Sequence, residues 1–300
     1  MVRTFRSVYN WNTNKNILIL QNTSMFYEIA SKLVSESLLS LYPVIVKNIA
    51  IPFEMQLWSR FFTYVAISIF FINMEYIKAN MLSMDGILLS TVTLAHVYTS
   101  YKGFILLESG MSYTLFYLYP IMILLMSGEP IHPIMGLSLL GVYLLYSETE
   151  KKSTIDKEKE TQNNKNSDKL QGVIMISLAA FTEALIYFIV RRLKTTNNWN
   201  HIFLSYFPGS LLLTGLLANK ISISNHLLTL SLGLNGVVGL FGYLLRFFAI
   251  SRLDPSIYAP LSYFGVIMAY VYGILINGEQ ITLLKVIGSL CIVIPNLFLL

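Results

Sequence analysis

The chain has 300 residues, of which 55% are hydrophobic and only 12% are charged, and its mean hydropathy is +0.61. A soluble domain carries about twice that share of charged residues, and a globular core of this length cannot bury so much apolar surface. The composition therefore indicates a membrane protein. The net charge of +5 comes from 21 Lys and Arg scattered through short segments, with no basic block interleaved with aromatic residues. This pattern excludes a nucleic-acid partner from the expected functions.

Residues 1–27 are predicted to be a polar N-terminal extension. Their only apolar stretch, 17–20, is too short for the apolar region of a cleavable signal peptide. Residues 148–169 mix Lys with Asp and Glu and contain a single aliphatic residue, Ile155, so they predict a charged flexible linker.

Apolar runs long enough to cross a bilayer recur on both sides of this linker. The predicted spans are 28–46, 55–74, 86–106, 111–127 and 131–147 before it, and 171–190, 201–218, 227–249, 256–276 and 281–299 after it. The expected fold is therefore an all-α membrane protein of ten transmembrane helices, with one five-helix repeat in residues 28–147 and a second in residues 170–300.

Landmarks in the two halves recur at a nearly constant offset. Lys102 and Arg246 lie 144 positions apart, and the Gly-Glu pairs at 128–129 and 278–279 lie 150 apart. An odd number of helices per repeat inserts the second half upside down, and such inverted repeats are typical of transporters. The basic residues outside the linker favour cytoplasmic termini, although the six linker lysines remove that bias when they are included.

Ionisable residues inside predicted spans are candidates for function, because lipid makes them costly. Glu28, Lys32 and Glu36 follow one another at a spacing of four, on one stripe of the first span. Glu36 and Glu183 lie near the middle of their spans and 147 positions apart. Two such carboxylates can bind a cationic group or exchange a proton, in which case replacing both with Gln should abolish transport and leave the protein folded. The alternative is a structural ion pair with Lys32 and a hydroxyl partner for Glu183.

Basic residues and a histidine suggest a second kind of site. Lys102 and Arg246 can flank one cavity and attract phosphate, whereas the alternative for these two and for Arg60 is snorkelling to the headgroups. His96 is either a hydrogen-bonded packing residue or a group that titrates near neutral pH.

Tyrosines and prolines within the spans add candidates for a cavity wall. A tyrosine offers both a stacking face and a hydroxyl, although interfacial belts and packing are the alternative role. The tyrosine candidates are Tyr101, Tyr117, Tyr243 and Tyr263. Prolines within helices favour kinks beside a cavity, and they stand at Pro43, Pro120, Pro208 and Pro260.

The stretch from 243 to 293 resembles the last three helices of EamA-like members of the drug/metabolite transporter superfamily. The resemblance rests on Phe247-Phe248-Ala249 followed by Arg252-Leu253, on Gly278-Glu279 and on Gly288, and a weaker copy with Pro120, Gly128, Glu129 and Gly136 occurs in the first half. The resemblance implies a ten-helix bundle with inverted repeats, cytoplasmic termini and a central cavity. Relatives are thought to carry amino acids, purines, sugar phosphates or nucleotide sugars, and no residue pattern selects among them.

The expected function is secondary transport of a small polar metabolite by alternating access. An enzyme is not expected, because the four histidines lie far apart and neither an HExxH motif nor a phosphate-binding GxxxxGK[ST] loop occurs. No cofactor or metal is expected, and the partners are a small-molecule substrate and the lipid bilayer, with a homodimer left open. The alternative function is that of a non-transporting membrane receptor or scaffold.

Overall fold

The computed structural model describes residues 25–46, 48–107, 109–128, 162–278, 280 and 282–297, with a few positions between 133 and 144. Regular structure in these residues is entirely helical, which confirms the predicted class. The helices are α1 (Met25–Val46), α2 (Phe53–Ser68), α3 (Met74–Asn80), α4 (Met84–Leu106), α5 (Ser109–Phe116), α6 (Tyr119–Ser127), α7 (Gln162–Arg192), α8 (Asn198–Leu217), α9 (Asn225–Ile250), α10 (Pro255–Asn277) and α11 (Leu283–Leu297). They coincide with nine of the ten predicted spans.

The remaining predicted span, 131–147, lies largely outside the described residues, as do positions 1–24 of the polar extension and 148–161 of the linker. Residues 162–169, also placed in the linker, are helical and continue into α7. Both glycines of the Gly-Glu pairs are described, and both have left-handed backbones, with φ of 74° at Gly128 and 61° at Gly278. Each ends its helix, α6 or α10, as glycines at helix C-termini commonly do.

Four of the described helices are long and apolar enough to cross a membrane: Met25–Val46, Leu170–Arg192, Asn225–Ile250 and Pro255–Asn277. A fifth is added if α3 and α4, which meet at an angle of 90°, count as one broken span. The protein is therefore an integral, multi-pass membrane protein.

Three helices are interrupted next to prolines. α1 has a turn at residues 40–41 just before Pro43, Pro120 lies in the first turn of α6 after the break between α5 and α6, and α10 is broken at Tyr263 after Pro260. Pro208, in contrast, lies within the continuous helix α8. The Ser40 hydroxyl at the first break donates to the Gly265 carbonyl just after the break in α10, at 2.9 Å, so the two breaks are in contact.

The most extensive helix contacts join the two halves of the chain. α4 packs along α7, α2 along α8, and both α5 and α6 against α10. α1 packs against α9, where the Ser35 hydroxyl donates to the Gly242 carbonyl at 2.7 Å. α9 is π-helical from Leu230 to Leu240. Its Gly239 lets the Tyr42 hydroxyl approach to 1.8 Å from where a Cβ would lie. The centre of the bundle is thus built from both halves.

Candidate functional site

Four charged side chains meet in the centre of the bundle, and we call them the ion cluster: Lys32 and Glu36 of α1, Glu183 of α7 and Arg246 of α9. None is more than 2% exposed. Nη1 of Arg246 donates to Oε1 of Glu183 at 2.5 Å, and its Nη2 lies 3.1 Å from Oε1 and 3.2 Å from Oε2 of Glu36. Lys32 Nζ donates to Oε1 of the same glutamate. Arg246 therefore links a carboxylate from each half of the chain.

Tyrosines surround the ion cluster. The break between α5 and α6 brings Tyr117 and Tyr119 inward, and both of their hydroxyls donate to Glu36, that of Tyr119 at 3.2 Å from Oε1. The ring of Tyr258, from α10, lies under the Lys32 ammonium at 3.6 Å from its centroid. Because two cations face two carboxylates, the cluster is charge-balanced, and the oxygens of Glu36 accept several hydrogen bonds, whereas Oε2 of Glu183 and Nε of Arg246 are buried without a hydrogen-bond partner among the described residues.

His96 of α4 lies at the edge of the ion cluster. Its Nδ1 lies 3.1 Å from the carbonyl of Ala179, which can only accept, so Nδ1 carries a proton. Nε2 is 3.4 Å from the Tyr243 hydroxyl and 3.3 Å from Oε2 of Glu183, without hydrogen-bond geometry to that carboxylate. A second proton, on Nε2, makes the ring a cation, and this cation lies next to the Glu183 carboxylate.

A second buried guanidinium belongs to Arg60 of α2, which is 2% exposed. Five tyrosine rings surround it, with centroids between 4.8 and 5.8 Å from its Cζ: Tyr42, Tyr64, Tyr101, Tyr206 and Tyr243. We call these rings the tyrosine cage. Nη2 of Arg60 donates to the Tyr206 hydroxyl at 3.1 Å. The cage combines cation–π contacts with a row of hydroxyls at the bundle centre.

A small cavity separates the two guanidinium groups. It is lined by Arg60 and Arg246 and by His96, Ser100, Phe116 and Tyr243, among others, and its volume is about 20 Å³. This is room for roughly one water molecule. The cavity lies where the ion cluster and the tyrosine cage adjoin, and its walls are contributed by helices of both halves.

Most of the residues singled out from the sequence come together here. Lys32, Glu36, Glu183 and Arg246 form the ion cluster, and His96, Tyr117 and Tyr243 contact it. Tyr101 belongs to the tyrosine cage, and the Tyr263 ring packs on that of Tyr117 with centroids 6.3 Å apart.

Lys102 lies apart from this centre. It is half-buried at the end of α4, with its Nζ 5.2 Å from the centroid of the Phe53 ring. The cavity that Arg246 lines is shared with Arg60 instead. The snorkelling role weighed for Arg60 and Arg246 is wrong, because both side chains point into the bundle and are almost fully buried.

Sequence reasoning did not single out Arg60, Tyr119 or Tyr258 as site residues. Arg60 lies within α2, one turn before Tyr64, whose ring it contacts. The four-residue spacing of Arg60 and Tyr64 indicates that the two side chains lie on the same side of α2. It does not show that this side faces the bundle, because the sequence of a helix that is apolar on all sides does not distinguish an inward from an outward face. Tyr119 and Tyr258, which reach the cluster from α6 and α10, lie inside predicted spans like the tyrosine candidates, but the sequence does not show that they face the cluster.

Comparison with known proteins agrees with this architecture. Residues 170–300 match the EamA-like transporter family, so the resemblance noted from the sequence is confirmed. The family is one of membrane transporters in the drug/metabolite superfamily.

No curated protein matches the chain. Nineteen chains of solved structures do match. One of them, titled "Crystal structure of protein", is 14% identical, with a TM-score of 0.58 over 89% of this chain and 96% of that chain. At this identity the likeness concerns the fold alone.

Proposed function

We propose that the protein is a secondary transporter of a small polar metabolite that works by alternating access, in a ten-helix bundle of two inverted five-helix repeats. The observation that carries the proposal is that residues at equivalent positions of the two halves meet each other at the bundle centre.

Three such pairs are in contact. Arg60 donates to Tyr206, 146 positions further on, and His96 lies within 3.4 Å of the Tyr243 hydroxyl, 147 positions further on. The rings of Tyr117 and Tyr263, which are 146 positions apart, pack together beside the proline-associated breaks of their helices.

Equivalent residues of two repeats touch only where they lie on the axis that relates the repeats. Three contacts at offsets of 146 or 147, in three different helix pairs, therefore support a pseudo-two-fold axis through the centre of the bundle. Glu36 and Glu183 obey the same offset, 147, and both bind Arg246. In inverted-repeat transporters, the substrate lies near such an axis and the two access states are related by it.

The ion cluster provides the element that must change in this cycle. Arg246 ties α9 to α1 through Glu36 and to α7 through Glu183, so opening the centre towards either side separates one of these pairs. A substrate or a proton that weakens one pair favours one of the two openings. We further propose cytoplasmic termini, with the substrate class open among amino acids, purines, sugar phosphates and nucleotide sugars.

Access to the cavity can be tested without knowing the substrate. The chain has one cysteine, Cys291, so a Cys291→Ser background that carries Ser100→Cys places a single thiol in the cavity wall. In sealed vesicles, a membrane-impermeant thiol reagent is added from the outside or trapped inside. Alternating access predicts labelling from both sides, at rates well below that of an exposed thiol.

The matched control is Ser222→Cys in the same background. Ser222 is exposed between α8 and α9, and we expect it to be labelled from one side only. Labelling of Ser100→Cys from one side alone, or from neither, would refute alternating access and favour the receptor or scaffold function.

A further inference from the structure

We propose, on the basis of the transport function above, that Arg60 and the cavity beside it bind the carboxylate of a monoanionic organic acid, whose body packs against the tyrosine cage.

Arg60 has no acidic partner. Among the described residues, no carboxylate oxygen lies within 4.0 Å of its guanidinium, whereas Arg246 contacts two carboxylates. In the same part of the chain, Nε of Arg60 is buried and has no hydrogen-bond acceptor. An arginine stays charged in a protein, so this is a buried cation with an unsatisfied donor.

The tyrosine cage holds this charge without neutralising it. Cation–π contacts with the five rings offset part of the desolvation cost of the buried ion, but the rings carry no negative charge. Two of the cage hydroxyls have other partners as well, since that of Tyr42 donates to Asn235 Oδ1 at 3.0 Å and lies 3.1 Å from that of Tyr64. The rings therefore position the guanidinium, and its charge remains available to an anion.

The number of charged side chains at the bundle centre indicates the charge that a bound ligand should carry. When Lys32, Arg60 and Arg246 are counted as cations, Glu36 and Glu183 as anions and His96 as neutral, one positive charge is left over. A monocarboxylate cancels it. A zwitterionic amino acid leaves it in place, and a phosphate monoester, with a charge of about −1.5 to −2 at pH 7, exceeds it.

The geometry also suits a carboxylate. A guanidinium presents N–H groups in a planar fork that matches two carboxylate oxygens. The cavity borders Arg60, and its volume of about 20 Å³ holds about one water molecule, so it is too small for the acid in this structure. A complete organic acid enters when the bundle opens, as the proposed alternating access requires.

The test is a thermal-shift assay on the purified full-length protein with four acids and their uncharged amides: benzoate, phenylacetate, hexanoate and lactate, each at 5 to 10 mM (roughly the range that detects weak ligands). We expect at least one acid to raise the melting temperature while its amide does not. This comparison within the unmodified protein needs no variant to fold. If no acid shifts the melting temperature, or if acids and amides act alike, the proposal is overturned.

Arg60→Gln then assigns the effect to this site, and Arg252→Gln is its control, since it removes one positive charge from an exposed position. We expect Arg60→Gln to abolish the acid-dependent shift, with a ligand-free melting temperature at or above that of the unmodified protein, and Arg252→Gln to keep the shift. A purely structural arginine would give a lower ligand-free melting temperature or loss of folded protein, and this outcome would overturn the proposal.

The two proposals fail separately. Labelling of Ser100→Cys from both sides, without any acid-specific shift, would leave alternating access intact and remove the carboxylate site. An acid-specific shift that depends on Arg60, with labelling from one side only, would keep the binding site and remove transport.

Discussion

The ion cluster and the tyrosine cage are neighbouring regions that surround a buried guanidinium group with two different sets of contacts. Each contains an arginine that is at most 2% exposed and is flanked by tyrosine rings. Arg246 is bound by two carboxylates, whereas in the described part of the chain Arg60 contacts tyrosine rings and a hydroxyl and no carboxylate. A buried charge that is paired within the protein holds helices together, and one that is left unpaired is a cost that a ligand of opposite charge can relieve.

This comparison makes opposite predictions for removing the two guanidinium groups, and the largest effect belongs to Arg246. Arg246→Gln leaves Glu36 and Glu183 without their shared cation, and we expect it to lower the free energy of unfolding by about 3–5 kcal/mol. Unfolding by denaturant in detergent, followed by tryptophan fluorescence, measures this loss.

A loss below about 1 kcal/mol for Arg246→Gln would show that the cluster is not needed for stability.

The same reasoning changes the expectation for replacing Glu36 and Glu183 together with Gln. Both acids contact Arg246, so we expect the double variant to lose stability as well as transport, in contrast to the expectation from sequence that it stays folded.

Two glycines allow each region to be disturbed separately. A Cβ at Gly265 would lie 1.7 Å from the Tyr117 hydroxyl, which binds Glu36, and a Cβ at Gly239 would lie 1.8 Å from that of Tyr42 in the tyrosine cage. We expect Gly265→Ala and Gly239→Ala each to cost about 1–3 kcal/mol in stability. Only Gly239→Ala should also weaken the acid-dependent thermal shift, because it displaces a ring of the cage.

Gly233→Ala is the matched control, since Gly233 lies in the same helix as Gly239 and nothing lies within 4 Å of its added Cβ. We expect its stability to be unchanged or slightly higher, because alanine favours helices. Equal losses of acid binding in Gly239→Ala and Gly265→Ala would mean that the two regions act as one site.

The smallest effect is expected at Lys102, the basic residue that the sequence paired with Arg246. It lies half-buried against Phe53 and outside the cavity lining, so Lys102→Gln should change stability by no more than about 0.5 kcal/mol and leave the acid-dependent shift intact. Unfolding by denaturant measures the stability, and the thermal-shift assay measures the acid-dependent shift. Loss of the shift in Lys102→Gln would place the anion at the end of α4 and argue against Arg60.

Much of this arrangement follows from sequence alone, because it depends on composition and on local spacing. Because helices that cross a membrane are long and apolar, the hydrophobic runs in the sequence located the helices that lie in nine of the ten predicted spans. Lys32 and Glu36 are one helical turn apart, and this spacing correctly brought them together. The offset of 147 between Glu36 and Glu183 also identified the two acids that share Arg246.

The partners of the charges were decided by the tertiary structure. Helices in lipid are apolar on every side, so their sequences do not show which side faces the bundle, and Arg246 and Lys102 look alike until α9 and α4 are packed. The breaks at 117–118 and at Tyr263 bring tyrosines from α6 and α10 to the cluster, across distances in sequence that no local pattern spans. That Arg60 meets no acid among the described residues is a property of five helices packed together, and for this reason it could be seen only in the folded protein.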